Sequence, residues 1–153
     1  MYLKAAGGKV ILGAFEKVAK PWSIDGVSKD FAFGTLPEDI EHFEPILNLA
    51  SQRFPKLNTT GIQLFFNGPE SFTPDDRYLL GKTPEYDNVF VAAGFNSIGI
   101  QSSGGAGKVL AEWIVKDHPP MDLWDVDIRR TFPFQSNQKY LVNRTRETLG
   151  LLY

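Results

Sequence analysis

The chain has no cysteine in its 153 residues. That excludes disulfides, thiol nucleophiles and thiolate metal sites. Histidine is nearly as scarce, with only His42 and His118. One lies beside an apolar stripe. The other ends a predicted helix, where positive charge suits the dipole. Both fit structural or solvated roles better than catalytic ones. Positive charge is also not in excess: the net charge is −2 and the pI about 5.7. No basic field therefore exists to draw in nucleic acid or an anionic membrane surface. No apolar run approaches the length of a membrane span. Met1-Tyr2-Leu3-Lys4 reads neither as a signal-peptide core nor as a transit peptide, which fits a cytoplasmic protein. Asn58-Thr59-Thr60 and Asn143-Arg144-Thr145 match glycosylation sequons, and without a secretion signal they read as chance matches.

Two nucleotide motifs are missing as well. Gly107-Lys108 lacks the earlier glycine and the following hydroxyl of a P-loop, for Ser102 and Val109 stand there. Gly105-Ala106-Gly107 does not extend to G-x-G-x-x-G, because Leu110 takes the last glycine position. The acidic clusters Asp75-Asp76 and Asp122, Asp125, Asp127 lack calcium-loop spacing. The stretch from Asp122 to Arg130 reads as a solvated or salt-linked connection.

Aromatic residues, by contrast, are abundant: 12 Phe, 3 Trp and 5 Tyr make up 13% of the chain. They suit a well-filled core, or a face that docks on something else. Gly7-Gly8, between Tyr2-Leu3 and the apolar run Val10–Phe15, predicts a β-hairpin. This abrupt start in strand-like sequence leads to the expectation of a truncated piece.

Pro21 to Gly34 reads as a loop. Ile40, Phe43, Leu47, Ala50 and Phe54 form one helical stripe. Pro45 is expected to divide it into a turn ending near Phe43 and a helix restarting in its own first turn. Ile62–Phe66 reads as a strand, Ser71–Thr83 as irregular chain, and Val89–Ala93 as a strand covered on both faces. A glycine-rich loop from Gly94 to Gly107 is expected to lead into a helix with Val109, Leu110, Trp113 and Ile114 on its apolar face. His118-Pro119-Pro120 ends that helix. Ser136 is a candidate cap for a last helix, from Asn137 to about Thr148, with Gly150 as its stop.

The strand, glycine loop and helix from Val89 to Lys116 carry the strongest chemical signal. Glycines allow close backbone approach, and a helix start presents unpaired N–H groups with a partial positive charge. Such a unit favours an anionic or carbonyl-rich ligand, although many such units bind nothing.

Several separated motifs then occur in order: Asn67–Asp75, Leu80-Gly81, Val91–Ile100 and Gly104–Ile114, followed by Asp122–Arg130. Together they resemble the C-terminal part of the flavin domain in the dimethylglycine and sarcosine dehydrogenase family, within the D-amino-acid-oxidase-like superfamily. The pyruvate dehydrogenase phosphatase regulatory subunit is a related member. The resemblance implies an α+β (mixed α/β) piece with an antiparallel substrate-domain sheet and the last strand and helix of the FAD-binding sheet. Residues 1–118 would be the C-terminal part of the FAD-dependent oxidoreductase domain, and 119–153 the connection into the next domain. The family's pyrophosphate-binding strand and helix would lie in a missing N-terminal half, so the isolated chain is expected to be inactive.

The implied function is oxidation of a small N-methyl amine, of the sarcosine or dimethylglycine type, by hydride transfer to FAD. A non-catalytic regulatory or interaction protein on the same scaffold is the alternative. By the resemblance, Gly94, Phe95, Asn96, Ser97, Ile98, Gly99 and Ile100 pass along the flavin, and Thr73, Pro74 and Asp75 form the neighbouring wall. Tyr2 aligns with a substrate-side tyrosine. Gly99 is expected to need positive φ and close approach. Gln101 stands where related monomeric sarcosine oxidases carry a lysine. The location implied for a eukaryotic full-length protein is the mitochondrial matrix.

Overall fold

The computed structural model describes residues 1–153. β1 (Tyr2–Ala6) and β2 (Lys9–Gly13) pair antiparallel, with Tyr2 opposite Gly13 and Ala6 opposite Lys9. Gly7 and Gly8 take φ of 55° and 74°. That left-handed geometry is what a two-residue hairpin turn requires, and glycine supplies it without strain.

α1 (Ile40–Arg53) is continuous through Pro45, contrary to the expected break. Asp39 caps it: its carboxylate accepts from the His42 amide at 3.1 Å, and its carbonyl from Phe43 at 3.1 Å. The first turn is therefore already closed when the chain reaches Pro45, and the proline removes a single donor. The stripe is real. Ala50 is fully buried on it, and Phe43 meets Phe65 edge-on at 5.5 Å.

The predicted strand Ile62–Phe66 does not form. A strand needs a ladder, and the neighbouring chain offers only an isolated bridge between Leu36 and Asn67. The missing strand instead lies in the supposedly irregular stretch. β3 (Leu79–Lys82) pairs antiparallel with β4 (Phe90–Ala93), Leu79 facing Ala93 and Lys82 facing Phe90. β3 is short, and Gly81 sits inside it at φ 120°, which hides it from a periodicity reading. The glycine is there for packing: a Cβ at Gly81 would lie 2.5 Å from the Trp113 ring.

α2 (Gly99–Lys116) begins earlier than expected, so Gly104, Gly105 and Gly107 are helical rather than loop. It ends at Asp117, in the left-handed region, directly before His118-Pro119-Pro120. Its Trp113 is buried, meets Phe90 of β4 edge-on at 6.0 Å and carries the Arg129 guanidinium 5.7 Å above its ring.

Asp122–Arg130 folds into turns rather than an extended segment, and Asp127 bridges to Leu80. α3 (Gln138–Leu152) is capped by Asn137, whose side chain accepts from the Tyr140 amide at 3.1 Å. Ser136 instead closes a short 3₁₀ turn over Pro133–Ser136. Gly150 does not stop the helix. It lets α3 touch the chain after the hairpin, where an added Cβ would lie 2.2 Å from the Lys17 carbonyl oxygen.

The result is a mixed α+β arrangement of two small antiparallel sheets and three α-helices. Only 10 of 153 residues are buried, and the surface is 11296 Å². A compact monomer of 17.1 kDa would expose roughly 7,800 Å². No helix is long and apolar enough to cross a membrane.

Candidate functional site

The link from β4 to α2 is a tightly constrained loop. Gly94, Asn96 and Ser97 all have positive φ, at 64°, 49° and 64°. Two non-glycine residues in that region need support from their surroundings. Asn96 obtains it from Thr73. The Thr73 amide donates to Asn96 Oδ1 at 2.8 Å, and Asn96 Nδ2 donates to Thr73 Oγ1 at 3.1 Å. Both residues are buried. Gly94 lies against the same threonine, and a Cβ there would meet Thr73 Cγ2 at 2.5 Å. Ser97 Oγ donates to Glu70 at 3.1 Å, and the Tyr153 hydroxyl donates to the Asn96 carbonyl at 3.1 Å.

This loop delivers the chain to the start of α2. The Ile98 amide closes a turn onto Phe95, and the Ser102 amide is the first to donate back, to Ile98. The amides of Gly99, Ile100 and Gln101 have no acceptor within the chain, and Ile98 provides no side-chain cap. Ile100 is fully exposed there. Three free donors at a helix start make a local positive potential suited to anionic or carbonyl oxygens. Gly99 is not left-handed, and a Cβ there would make only an ordinary 3.4 Å contact with Phe95. The conformational demand expected at Gly99 falls on Gly94 instead.

The wall residues turn out to be strongly tethered. Arg130 grips the Asp75 carboxylate through Nε at 2.8 Å and Nη2 at 3.0 Å, and the Arg77 amide adds a donor at 3.2 Å. Burial works to raise the Asp75 carboxyl, but the Arg130 bonds, the Arg77 amide and the Arg130 charge outweigh it and hold the group below its ordinary value. The Pro74 carbonyl accepts from Arg144 Nε at 2.9 Å. Asp76, left-handed at φ 60°, buries an Oδ1 that has no partner. Its own burial raises its carboxyl above the ordinary value, against the opposing charges of Arg144 and Arg77. Asp127 is held low by its hydrogen bonds with Arg129.

Thr73 is thus held against the Gly94–Ile100 loop, while Pro74 and Asp75, which follow it in the turn, are bound by Arg144 and Arg130. Tyr2 is not brought to it by any hydrogen bond or ring contact. Its ring covers Gly13 across the hairpin and is more than half exposed. The hairpin's exit does approach the loop, for Phe15 stacks on Tyr153 at 4.3 Å. Arg130, Arg144, Tyr153 and Glu70 were not foreseen as site residues. Their partners lie 27 to 70 positions away in sequence, a separation that no local pattern reveals. Beside the loop, a cavity of about 440 Å³ opens against α2, bordered by Tyr78, Gln101, Ser102, Leu123 and Trp124.

Residues 1–113 match the family described as FAD dependent oxidoreductase, and residues 116–153 match the FAD dependent oxidoreductase central domain. The chain belongs to the FAD-dependent oxidoreductase family. It is 41% identical over 152 residues to 4-methylaminobutanoate oxidase (formaldehyde-forming) of Paenarthrobacter nicotinovorans, covering 99% of the chain and 18% of that protein. It is 39% identical to the mitochondrial pyruvate dehydrogenase phosphatase regulatory subunit of Mus musculus, covering 100% of the chain and 17% of that protein. The mitochondrial sarcosine dehydrogenase of Mus musculus is 42% identical over 130 residues, covering 85% of the chain and 14% of that protein. The chain therefore spans less than a fifth of the length of each of these relatives. Its family indicates FAD as the cofactor of the complete protein.

Proposed function

We propose that the chain is the flavin-closing segment of an FAD-dependent oxidoreductase acting on small N-methyl amines. The observation that carries this reading is the start of α2, where the Gly99, Ile100 and Gln101 amides have no acceptor of their own. FAD, when bound, supplies the acceptor for the hydride equivalent that leaves the N-methyl carbon. The chain's own part is positional and electrostatic. The donors from Gly99 to Gln101 would hold developing negative charge. Gly94, Phe95, Asn96, Ser97 and Ile98 would line the cofactor, with Thr73, Pro74 and Asp75 as the adjoining wall. Tyr2 is proposed on the substrate side, at the edge of the hairpin.

Residues 1–118 would complete the oxidoreductase domain and 119–153 would enter the next one. β4 would be the last strand of the FAD-binding sheet, with α2 following it. The outward N–H and C=O groups of Phe90 and Ala92 suit that place, since β4 is paired on one edge only. The surface excess of roughly 3,500 Å² over a compact monomer would be covered by an N-terminal half that carries the pyrophosphate site. Such an excess is larger than one side of most obligate interfaces. The location we propose is the cytoplasm, or the mitochondrial matrix in a eukaryote, where several relatives are named as residing.

The test is a titration of FAD against residues 1–153, read by quenching of flavin fluorescence, beside the same titration on the polypeptide extended N-terminally. Binding that needs the extension is expected. Tight stoichiometric binding by residues 1–153 alone would refute the placement of the nucleotide site. A second reading, a non-catalytic regulatory protein on the same scaffold, is favoured by the match of the whole chain to part of a phosphatase regulatory subunit. An extended protein with no flavin absorption and no bleaching by sarcosine or dimethylglycine would support it.

A further inference from the structure

The turn that faces the flavin loop is held from outside its own domain segment. Two groups of residues 119–153 hold this turn, Arg130 on the Asp75 carboxylate and Arg144 on the Pro74 carbonyl, and a third, Tyr153, holds the loop itself at the Asn96 carbonyl. Arg130 is the best enclosed of the three cationic or hydroxyl contacts, its side chain only 16% exposed. It binds Asp75 with both arms of its fork, and its Nη2 also donates to the Arg77 carbonyl. A planar fork so placed fixes orientation as well as charge. Two residues before Asp75, the Thr73 amide and hydroxyl engage Asn96, which holds the left-handed bend before α2. Arg130 is thus joined to the free amides of α2 through Asp75, Thr73 and Asn96.

We infer that Arg130 is a positioning residue for the cofactor loop, setting the place of the Gly99–Gln101 amides through Asp75 and the Thr73–Asn96 pair. This rests on the flavin reading above. Its consequence is that the segment after residue 118 shapes the flavin environment without touching the flavin. Lysine would keep the charge at Arg130 but lose the fork, and glutamine would lose both. The Asp127 carboxylate also neighbours Arg130, but its bonds go to Arg129, so it is not a substitute partner for the fork.

The experiment uses the native polypeptide that contains residues 1–153, as wild type, Arg130→Lys, Arg130→Gln and Asp75→Asn. Peptide-resolved amide exchange is measured over residues 94–102, with α1 as the internal reference, together with the flavin absorption spectrum and midpoint potential. Loss of a charge-assisted bidentate pair should speed exchange of 94–102 by roughly tenfold or more, leave α1 unchanged and shift both flavin readouts. Arg130→Lys should fall between wild type and Arg130→Gln. If Arg130→Gln does not fold, Asp75→Asn removes the same ion pair at nearly constant volume and must move the same peptide. Wild-type exchange over 94–102 overturns the proposal, and so does a uniform rise that includes α1. A faster loop with an unchanged spectrum and potential overturns the link to the cofactor. A faster loop in a polypeptide that holds no flavin sinks the flavin reading and keeps Arg130 as the loop's anchor.

Discussion

Thr73 and Asn96 hold each other through the Thr73 backbone amide and through their side chains, although 23 positions separate them. The pair is buried, so neither group has water as an alternative partner. Asn96→Ala would leave the Thr73 amide unsatisfied and place alanine at φ 49°. The unmet donor and the backbone strain together should cost about 2–4 kcal/mol. Urea denaturation of the native polypeptide checks this. A loss below about 0.5 kcal/mol, the level of an ordinary surface change, would mean that the pair does not organise the loop.

The two glycines flanking that loop should behave differently. Gly94→Ala meets both a left-handed φ and the Thr73 methyl, and should destabilise by about 1–3 kcal/mol. Gly99→Ala meets neither obstacle and enters the first turn of α2, so it should be neutral or stabilising by up to about 1 kcal/mol. Thermal midpoints of the two variants decide the matter. Equal losses would show that the loop geometry is not the discriminating feature.

The parts of this fold that were legible in the sequence are those with local causes. The hairpin announced itself through Gly7-Gly8, and α1 and α2 through stripes that Ala50 and Trp113 do bury. Pro45 misled because its cost is one hydrogen bond, and Asp39 had already closed the turn before it. Gly150 misled for the opposite reason. It reads as a stop, yet it serves the close approach of α3 to Lys17, a contact no helical pattern encodes. β3 was missed because its partner β4 and its covering Trp113 lie beyond any local window. In the candidate site, the Gly94–Ile100 loop and the Thr73–Asp75 stretch were singled out through resemblance. Arg130, Arg144 and Tyr153 were not, because what they do is long-range and polar, and charge leaves no periodicity.

The carboxylates of the wall should give the stability an acid limb with a definite sign. Asp75 and Asp127 are held below 3.8 in the folded state. Their contribution is therefore complete above 3.8 and lost as pH falls through their lowered folded values. Asp76 is raised above 3.8. It favours the fold when protonated and withdraws that support as pH rises through its raised value. Asp75→Asn and Asp127→Asn should lower neutral-pH stability and flatten the loss on acidification below 3.8. Asp76→Asn should raise neutral-pH stability and remove the decline above 3.8. Urea midpoints between pH 2.5 and 7 test all three. A steepened acid limb in Asp75→Asn would contradict the assigned role of Arg130 at that carboxylate.

Under the proposed function, Gln101 bears on the electron acceptor of the complete protein. It lies in the first turn of α2, beside the proposed cofactor loop, and borders the cavity with Tyr78 and Trp124. Reduction of oxygen creates an anion, and a fixed cation nearby lowers the cost of forming it. At an effective dielectric near 20 and a separation of about 4 Å, a full charge contributes roughly 4 kcal/mol before desolvation, which is large on a rate scale. A glutamine amide supplies only a dipole. Lys108, two helical turns further along α2, is the next cation on that element. One relative that is 41% identical is named an oxidase, so the prediction turns on this side chain rather than on family membership. Under the proposed amine oxidation, the complete protein should therefore react slowly with oxygen once reduced, and Gln101→Lys should accelerate that reaction. Stopped-flow mixing of the amine-reduced protein with oxygenated buffer measures both rates. Wild-type reoxidation fast enough to sustain turnover, or no acceleration in Gln101→Lys, would remove Gln101 as the determinant.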